Sequence, residues 1–363
     1  MHFGEPLSDD RLEALLRPGD GIDSVITADA YGAGEADSLL GRALAGVPRS
    51  TYALAGAVGH DFYEGEREGA KGYPRFTDPR LREPGGYADY LRMAVERSLE
   101  RCGVGSFDLL LLHNPDRRGF ESPEVWDALR SIRDEGLTRT LGVAPGPANG
   151  FTLDLIGCFE RYGPLIDWAM LILNPFEPWP GELALDAAVR HDVKVLTRVV
   201  DYGGLFHDDV LPGHRFDSHD HRGFRPQGWV EAGRERLEQI RPIAERHGLT
   251  PLQLACVWNL SHDVVRSVAP TLIQEPGPDA KPIERKREEL AAVPAEPLLS
   301  DEEIAEIRAV GDNRGSMLLK GATPDHEGEE RPDRWELGPE QAELAARWGI
   351  DPERDLRKSV APV

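Results

Sequence analysis

The sequence predicts an α/β protein, a (β/α)8 TIM barrel that lacks its first strand and carries a C-terminal extension. Three observations predict it. Short apolar runs alternate with amphipathic helical stretches from residue 10 to about 270, the pattern of βα units around a parallel sheet. Seven of those runs read as strands, where a closed barrel needs eight. The first recognisable element, residues 10–16, is a helix, and in a βα repeat a helix already follows a strand. The chain therefore starts one strand late. Either its true start lies upstream, or the barrel is open on one side and its edge strands need cover from a helix, a loop or a second copy in a homo-oligomer.

The strands fall near residues 25–28, 52–58, 109–112, 139–143, 169–173, 193–199 and 264–270. The third is the clearest: Leu109 to Leu112 is a continuous apolar run of the kind a strand buried on both faces shows, and it stops at His113-Asn114-Pro115-Asp116. Ser122-Pro123 then reads as N-cap and first-turn proline of a helix with Val125, Leu129 and Ile132 on its apolar face, ended by Gly136. Residues 207–231 form a long polar loop after a strand, where barrels carry substrate-facing lids. Residues 1–312 make the barrel and 313–363 an extension with one helix near 339–348, placed to fold back over the barrel mouth.

Composition narrows the partners. A formal charge of -22, spread along the chain, disfavours phosphate backbones and anionic lipid, so neither nucleic acid nor membrane is expected. Cys102, Cys158 and Cys256 lie far apart and suggest neither a disulfide framework nor a metal set, which fits a reducing cytoplasm. No run reaches the apolar length of a membrane helix, and Met1-His2-Phe3-Gly4-Glu5-Pro6 is not a secretion signal. The remaining partner is a small-molecule substrate.

Four motifs in order carry a family resemblance. Ile26-Thr27-Ala28-Asp29-Ala30-Tyr31-Gly32, followed by Leu39-Leu40-Gly41-Arg42-Ala43-Leu44, resembles the D-T-A-x-x-Y-G and L-L-G-x-A-L elements of aldo-keto reductases. Asp108 to Pro115 resembles the family strand that ends in the catalytic histidine, and Leu141-Gly142-Val143 and Leu252-Gln253-Leu254-Ala255 follow in the family's order. The likeness spans roughly residues 5 to 310. It implies carbonyl reduction with NADPH by a tyrosine acid, a histidine that binds the carbonyl oxygen, and a lysine paired with an aspartate that lowers the tyrosine pKa.

The resemblance puts the first two on Tyr31 and His113. The aspartate position is Ile26 and the lysine position is Ala57, so the tetrad reads as degenerate. Losing both partners of a buried pair is physically coherent, because a stranded charge would cost about 3–5 kcal/mol. The chemistry changes more than the fold, since an unassisted phenol titrates at about 10 and is a poor acid at neutral pH. Lys71 is the only nearby lysine able to replace the lost one. Where the family orients the nicotinamide carboxamide with serine, asparagine and glutamine, this chain has Ala144, Pro145 and Met170. The loop Gln274-Glu275-Pro276-Gly277-Pro278-Asp279-Ala280-Lys281, at the adenosine phosphates in the family, carries prolines and acids, leaving Lys281 and Arg285 or Arg287 to meet a phosphate if NADP binds.

Around Tyr31 and His113, the residues expected to contact substrate are Asp29, His60, Asn174 and Arg198; each also has an ordinary structural role available, as a loop cap or an ion-pair member. Glu177, Asp201 and Tyr202 follow later strands and share that expectation. Arg198 stands out, since a guanidinium at a barrel mouth can clamp a carboxylate or phosphate. His214, Asp217, His219, Asp220 and His221 have the composition of metal ligands, but their spacing matches no closed zinc site, and no metal is expected.

The function these readings favour is a cofactor-independent, non-redox enzyme on a reductase scaffold. It would be a lyase or isomerase for elimination, isomerisation or cyclisation of a carbonyl-bearing small molecule, as in secondary metabolism. The alternatives are an NADP(H)-dependent oxidoreductase with an unusual pocket and a non-catalytic binding or regulatory barrel.

Overall fold

The computed structural model describes residues 3–67, 72–146, 149–217, 220–225, 228–313 and 336–356. Seven parallel strands form one sheet in chain order: β1 (Ser24–Ala28), β2 (Ala53–Val58), β3 (Phe107–His113), β4 (Thr138–Ala144), β5 (Trp168–Ile172), β6 (Lys194–Arg198) and β7 (Val265–Ala269). Each expected strand is present, with ends shifted by one or two residues. Among the described residues β1 and β7 are the two edges of the sheet and do not pair, so the barrel is partial and open between them. Ile26, on the inner face of β1, is 39% exposed as a result.

Register fixes which side chains share the inner wall. Ile26 pairs with Ala55 and Ala28 with Ala57. Ala57 pairs with Leu111, and His113 with Ala144. Met170 pairs with Leu196, and Arg198 with Ala269. Because side chains alternate along a strand, these residues face the lumen while their neighbours face the helices. Two apolar clusters result. Ala28, Ala55, Ala57, Leu109, Leu111, Ala144, Met170 and Leu196 fill the lumen. A much larger cluster, with Leu110, Leu112, Trp126, Leu129, Val143 and Phe159 among its members, seals the sheet against the helices.

Two helices begin at reciprocal capping boxes. Thr250 and Gln253 form a reciprocal capping box at Pro251–Leu260, and Ser300 and Glu303 do the same at Asp301–Val310. The helix expected after Ser122 runs Pro123–Asp134 with Val125, Leu129 and Ile132 buried. Among the described residues no helix is long and apolar enough to cross a membrane.

The described part of the C-terminal extension packs on the outer helix layer and touches the loops that follow β3 and β4, where Arg117 donates to the Glu336 carbonyl and Asn149 to the Leu356 carbonyl at 3.4 Å. Its helix Pro339–Arg347 packs on the outer helix Phe151–Tyr162, where Gln341 donates to Asp154 at 3.2 Å and Trp348 to Glu160 at 2.8 Å. Leu344 and Ala345 join the outer core there, so burial of this apolar face decides its place. Residues 314–335 lie outside the described residues.

Candidate active site

The C-terminal ends of the strands bring three rings together. Tyr31 follows β1 directly, on a turn in which Gly32 (φ 59°) and Gly34 (φ 96°) adopt left-handed backbone that favours glycine. That turn leaves Tyr31 58% exposed. His113, the last residue of β3, stands edge-on to the Tyr31 ring with centroids 5.7 Å apart. His60, just beyond β2, packs edge-on against His113 at 5.2 Å. A Cβ on Gly59 would lie 2.3 Å from the His113 carbonyl oxygen, so glycine there lets the β2 loop close onto β3 and carry His60 to this place.

A hydrogen-bond chain fixes the His60 ring. Its Nδ1 lies 2.9 Å from the Tyr73 carbonyl and its Nε2 lies 3.1 Å from the Asn114 side-chain amide nitrogen. A carbonyl only accepts and an amide NH2 only donates, so these partners assign the proton to Nδ1 and leave Nε2 an acceptor. The Tyr90 hydroxyl donates to the His60 carbonyl at 3.0 Å, and Arg75 Nε donates to the Asn114 carbonyl. Arg75 returns to the mouth through a loop that pairs back on itself, with a bridge between His60 and Arg75. Asn114, Tyr73 and Arg75 were not singled out from the sequence. The available signals were an asparagine after a strand-end histidine, held at φ 47°, and a Tyr-Pro-Arg run after a glycine.

Of the other expected contacts, Arg198 faces the mouth, and Asp29 and Asn174 do not. Arg198, half-buried at the end of β6, reaches across the lumen and donates through Nη2 to the Pro145 carbonyl at 3.0 Å. Asn174 is fully buried. It donates to Glu177 Oε2 and to the Val199 carbonyl, both at 2.9 Å, and accepts from Phe176 N, so it braces the β5 loop instead of facing a ligand. Glu177 and Tyr202 are packed with Arg225, and Asp201 accepts from Thr271 N and Gly204 N. These too are structural.

Asp29 points to the helix side of β1, as alternation after the inward Ala28 requires. It is fully buried, and neither carboxylate oxygen has a hydrogen-bond partner among the described residues. Burial first, and the nearby Asp37 second, push its pKa well above the ordinary 3.8. An acid whose folded pKa is raised costs stability as pH climbs above its unfolded value, because only the unfolded chain ionises freely. Asp29→Asn is therefore expected to raise the melting temperature at pH 7.5, with the gain shrinking to nothing below about pH 3.8. Thermal melts at both pH values check this; a variant less stable at both would contradict it.

The loop cations are committed elsewhere. Lys281 pairs with Glu289 at 2.9 Å and Arg285 with Glu288 at 2.7 Å, while Arg287 donates to the carbonyls of Leu15, Arg17 and Gly19. In the loop 207–231, Asp220 and His214 lie against the buried pair of Arg222 and Glu275. Among the described residues no group of three or more His, Cys, Asp or Glu could hold a metal ion. Lys71 and His219 lie outside the described residues.

Comparison with known proteins gives this geometry its context. The sequence profile of the aldo/keto reductase family matches residues 10–312. The chain is 28% identical over 172 residues to a D-threo-aldose 1-dehydrogenase from a Pseudomonas species, a match that spans 43% of this chain and 52%, about half, of that protein. It is 28% identical over 247 residues to an aldo-keto reductase of Mycolicibacterium smegmatis, covering 66% of this chain and 75% of the relative. Among solved structures, a glycerol dehydrogenase from Gluconobacter oxydans superposes with a TM-score of 0.65 at 23% identity, covering 84% of this chain and 86% of that one. An aldo/keto reductase from Klebsiella pneumoniae, solved with NADP and acetate, gives 0.55 at 20% identity, covering 85% and 87%. At these identities the structural matches establish the fold.

Proposed function

The chain belongs to the aldo/keto reductase family, and from that premise we propose that it is an enzyme acting on a carbonyl-bearing small molecule at the Tyr31–His113 mouth, by proton transfer and without a nicotinamide. One observation carries the reading. Tyr31 and His113 meet ring to ring at the strand ends, while the wall beneath them is apolar where the family resemblance calls for a lysine and an aspartate: Ala57 stands 5% exposed against Leu111, with Ile26 on the neighbouring strand.

In this mechanism His113 donates a hydrogen bond to the substrate carbonyl oxygen, which stabilises charge as it gathers there. Tyr31, acting as its phenolate, takes the proton from the adjacent carbon as the C–H electron pair moves toward the oxygen held by His113. The phenol so formed, whose proton exchanges with solvent, then protonates the leaving group or the new carbon site and returns to phenolate, so the enzyme ends unchanged. Loss of a leaving group, migration of the double bond or ring closure then distinguishes elimination, isomerisation and cyclisation. His60, with Nε2 held as an acceptor by Asn114, keeps the His113 ring in place by edge contact.

The residues present do not fit a nicotinamide dinucleotide as the family holds one. The carboxamide positions are Ala144, Pro145 and Met170, whose side chains offer no hydrogen bond, and the Pro145 carbonyl already accepts from Arg198. Lys281 and Arg285, the cations available for a phosphate, are paired with glutamates.

The relatives favour a second reading, an NADP(H)-dependent oxidoreductase, since they include a dehydrogenase by name and a structure solved with NADP. NADPH titration followed by tryptophan fluorescence separates the two. Flat fluorescence up to millimolar NADPH is the expected result; saturable binding with carbonyl-dependent oxidation of NADPH would overturn the proposal in favour of the second reading.

A further inference from the structure

Among the described residues Arg198 forms no ion pair. It closes β6 on the inner face, two residues beyond Leu196 of the lumen cluster, and spans the mouth to Pro145, next to the strand partner of His113. A guanidinium carries five donors. One of them is used, toward the Pro145 carbonyl; Nε is buried and donates to nothing among the described residues. The carboxylates within reach are taken. Glu177 is held by Arg225 and Asn174, and Asp201 by two backbone N–H groups. A chain with 64 Asp and Glu against 42 Lys and Arg thus leaves this guanidinium without a carboxylate among its described residues. Its surroundings are apolar, from Leu196 to Ala269 and Ala144.

We propose that Arg198 receives a carboxylate carried by the substrate, which makes the substrate class of this mouth small oxo acids. The inference rests on the proposed carbonyl chemistry for the oxo group; the carboxylate is argued from Arg198 alone. Burial disfavours the charged form of Arg198; the phenol of Tyr31 and, after it, the carboxylate of Glu177 oppose that effect, though neither is bonded to the guanidinium among the described residues. A planar carboxylate matches a guanidinium edge with two parallel hydrogen bonds, and desolvation by the apolar wall strengthens them. A ligand spanning the mouth can then place its carbonyl oxygen at His113 and its carboxylate at Arg198.

Calorimetric titration of the full chain with pyruvate, 2-oxobutanoate and levulinate, each beside its methyl ester, tests this. At least one acid is expected to bind about tenfold or more tighter than its ester, a preference lost in Arg198→Gln and partly kept in Arg198→Lys. The acid-to-ester comparison in the unaltered protein stands even if a variant fails to fold. Esters binding as tightly as acids, no saturable binding of any acid, or displacement of the acid by inorganic phosphate but not by acetate would each overturn the inference. Deuterium exchange in heavy water at the carbon beside the carbonyl reports the proton-transfer reading separately. Acid binding through Arg198 without exchange sinks that reading alone, and exchange with the ester as fast as with the acid sinks the carboxylate alone.

Discussion

Replacing Arg222 by alanine is expected to cost about 3–5 kcal/mol of folding stability, because it strands two buried carboxylates. Arg222 is 1% exposed on its side chain and faces Asp220 and Glu275 at once. Its Nη2 donates to Asp220 at 2.7 Å and to Glu275 at 3.0 Å, its Nη1 to Glu275 at 2.5 Å and to the Gly203 carbonyl at 3.2 Å. Asp220 in turn accepts from Gly4 N, so the knot joins the loop after β6, the loop after β7 and the N-terminal segment. The effect is read as a lower urea midpoint at unchanged slope. A double variant, Arg222→Ala with Glu275→Gln, is expected to be less destabilised than the sum of its parts, since one stranded charge is gone. A loss under about 1 kcal/mol would place this pair among those that contribute little.

The same knot has a pH signature. Burial, the largest single influence on Asp220, pushes its pKa up, but hydrogen bonds from the Arg222 side chain and backbone and from Gly4 outweigh it and hold the group below its ordinary 3.8. A carboxylate depressed in the folded state stabilises above its unfolded pKa and loses that contribution as pH falls through the folded value. The acid limb of the stability curve is therefore expected to begin just below pH 4 and to flatten in Arg222→Ala.

The architecture was written in the sequence more plainly than the site. Continuous apolar runs mark strands buried on both faces, so β3 was legible from Leu109 to Leu112, and Tyr31 and His113 fell at strand ends by the same count. Alternation also contained the answer for Asp29: Ile26 and Ala28 face inward, so Thr27 and Asp29 face the helices, and Thr27 indeed donates to Asp37 there. Reading Asp29 as a mouth residue ignored that period. Asn174 misled for another reason. A polar residue after a strand is expected at the mouth, but here the chain turns back at once, bridging Asn174 to Glu177, and the amide is consumed inside the turn. The pairing of Arg285 with Glu288 was readable at its three-residue spacing on a helix. The return of Arg75 to Asn114 was not, because a loop that closes over more than a dozen residues leaves no periodic trace in the sequence.

For the chemistry itself, His113→Ala is expected to raise the barrier by about 2.7–4 kcal/mol, a loss of roughly 10²–10³ in kcat, if the imidazole donates to the carbonyl oxygen as single oxyanion donors do elsewhere. Tyr31→Phe is expected to abolish proton exchange at the adjacent carbon while leaving stability within about ±0.5 kcal/mol, since the phenol stands 58% exposed. The two losses should not add. If the pair acts as a unit on one proton and one oxygen, the double variant is expected to be little slower than Tyr31→Phe alone. His113 differs from Tyr31 in being 9% exposed between two rings, so its removal also disturbs packing against His60, and a stability measurement must accompany the rate. A Tyr31→Phe enzyme that turns over its oxo acid as fast as the parent would remove the phenol from the mechanism and leave Arg198 and His113 as a binding site, which is the behaviour of a barrel kept for its ligand and not for its chemistry.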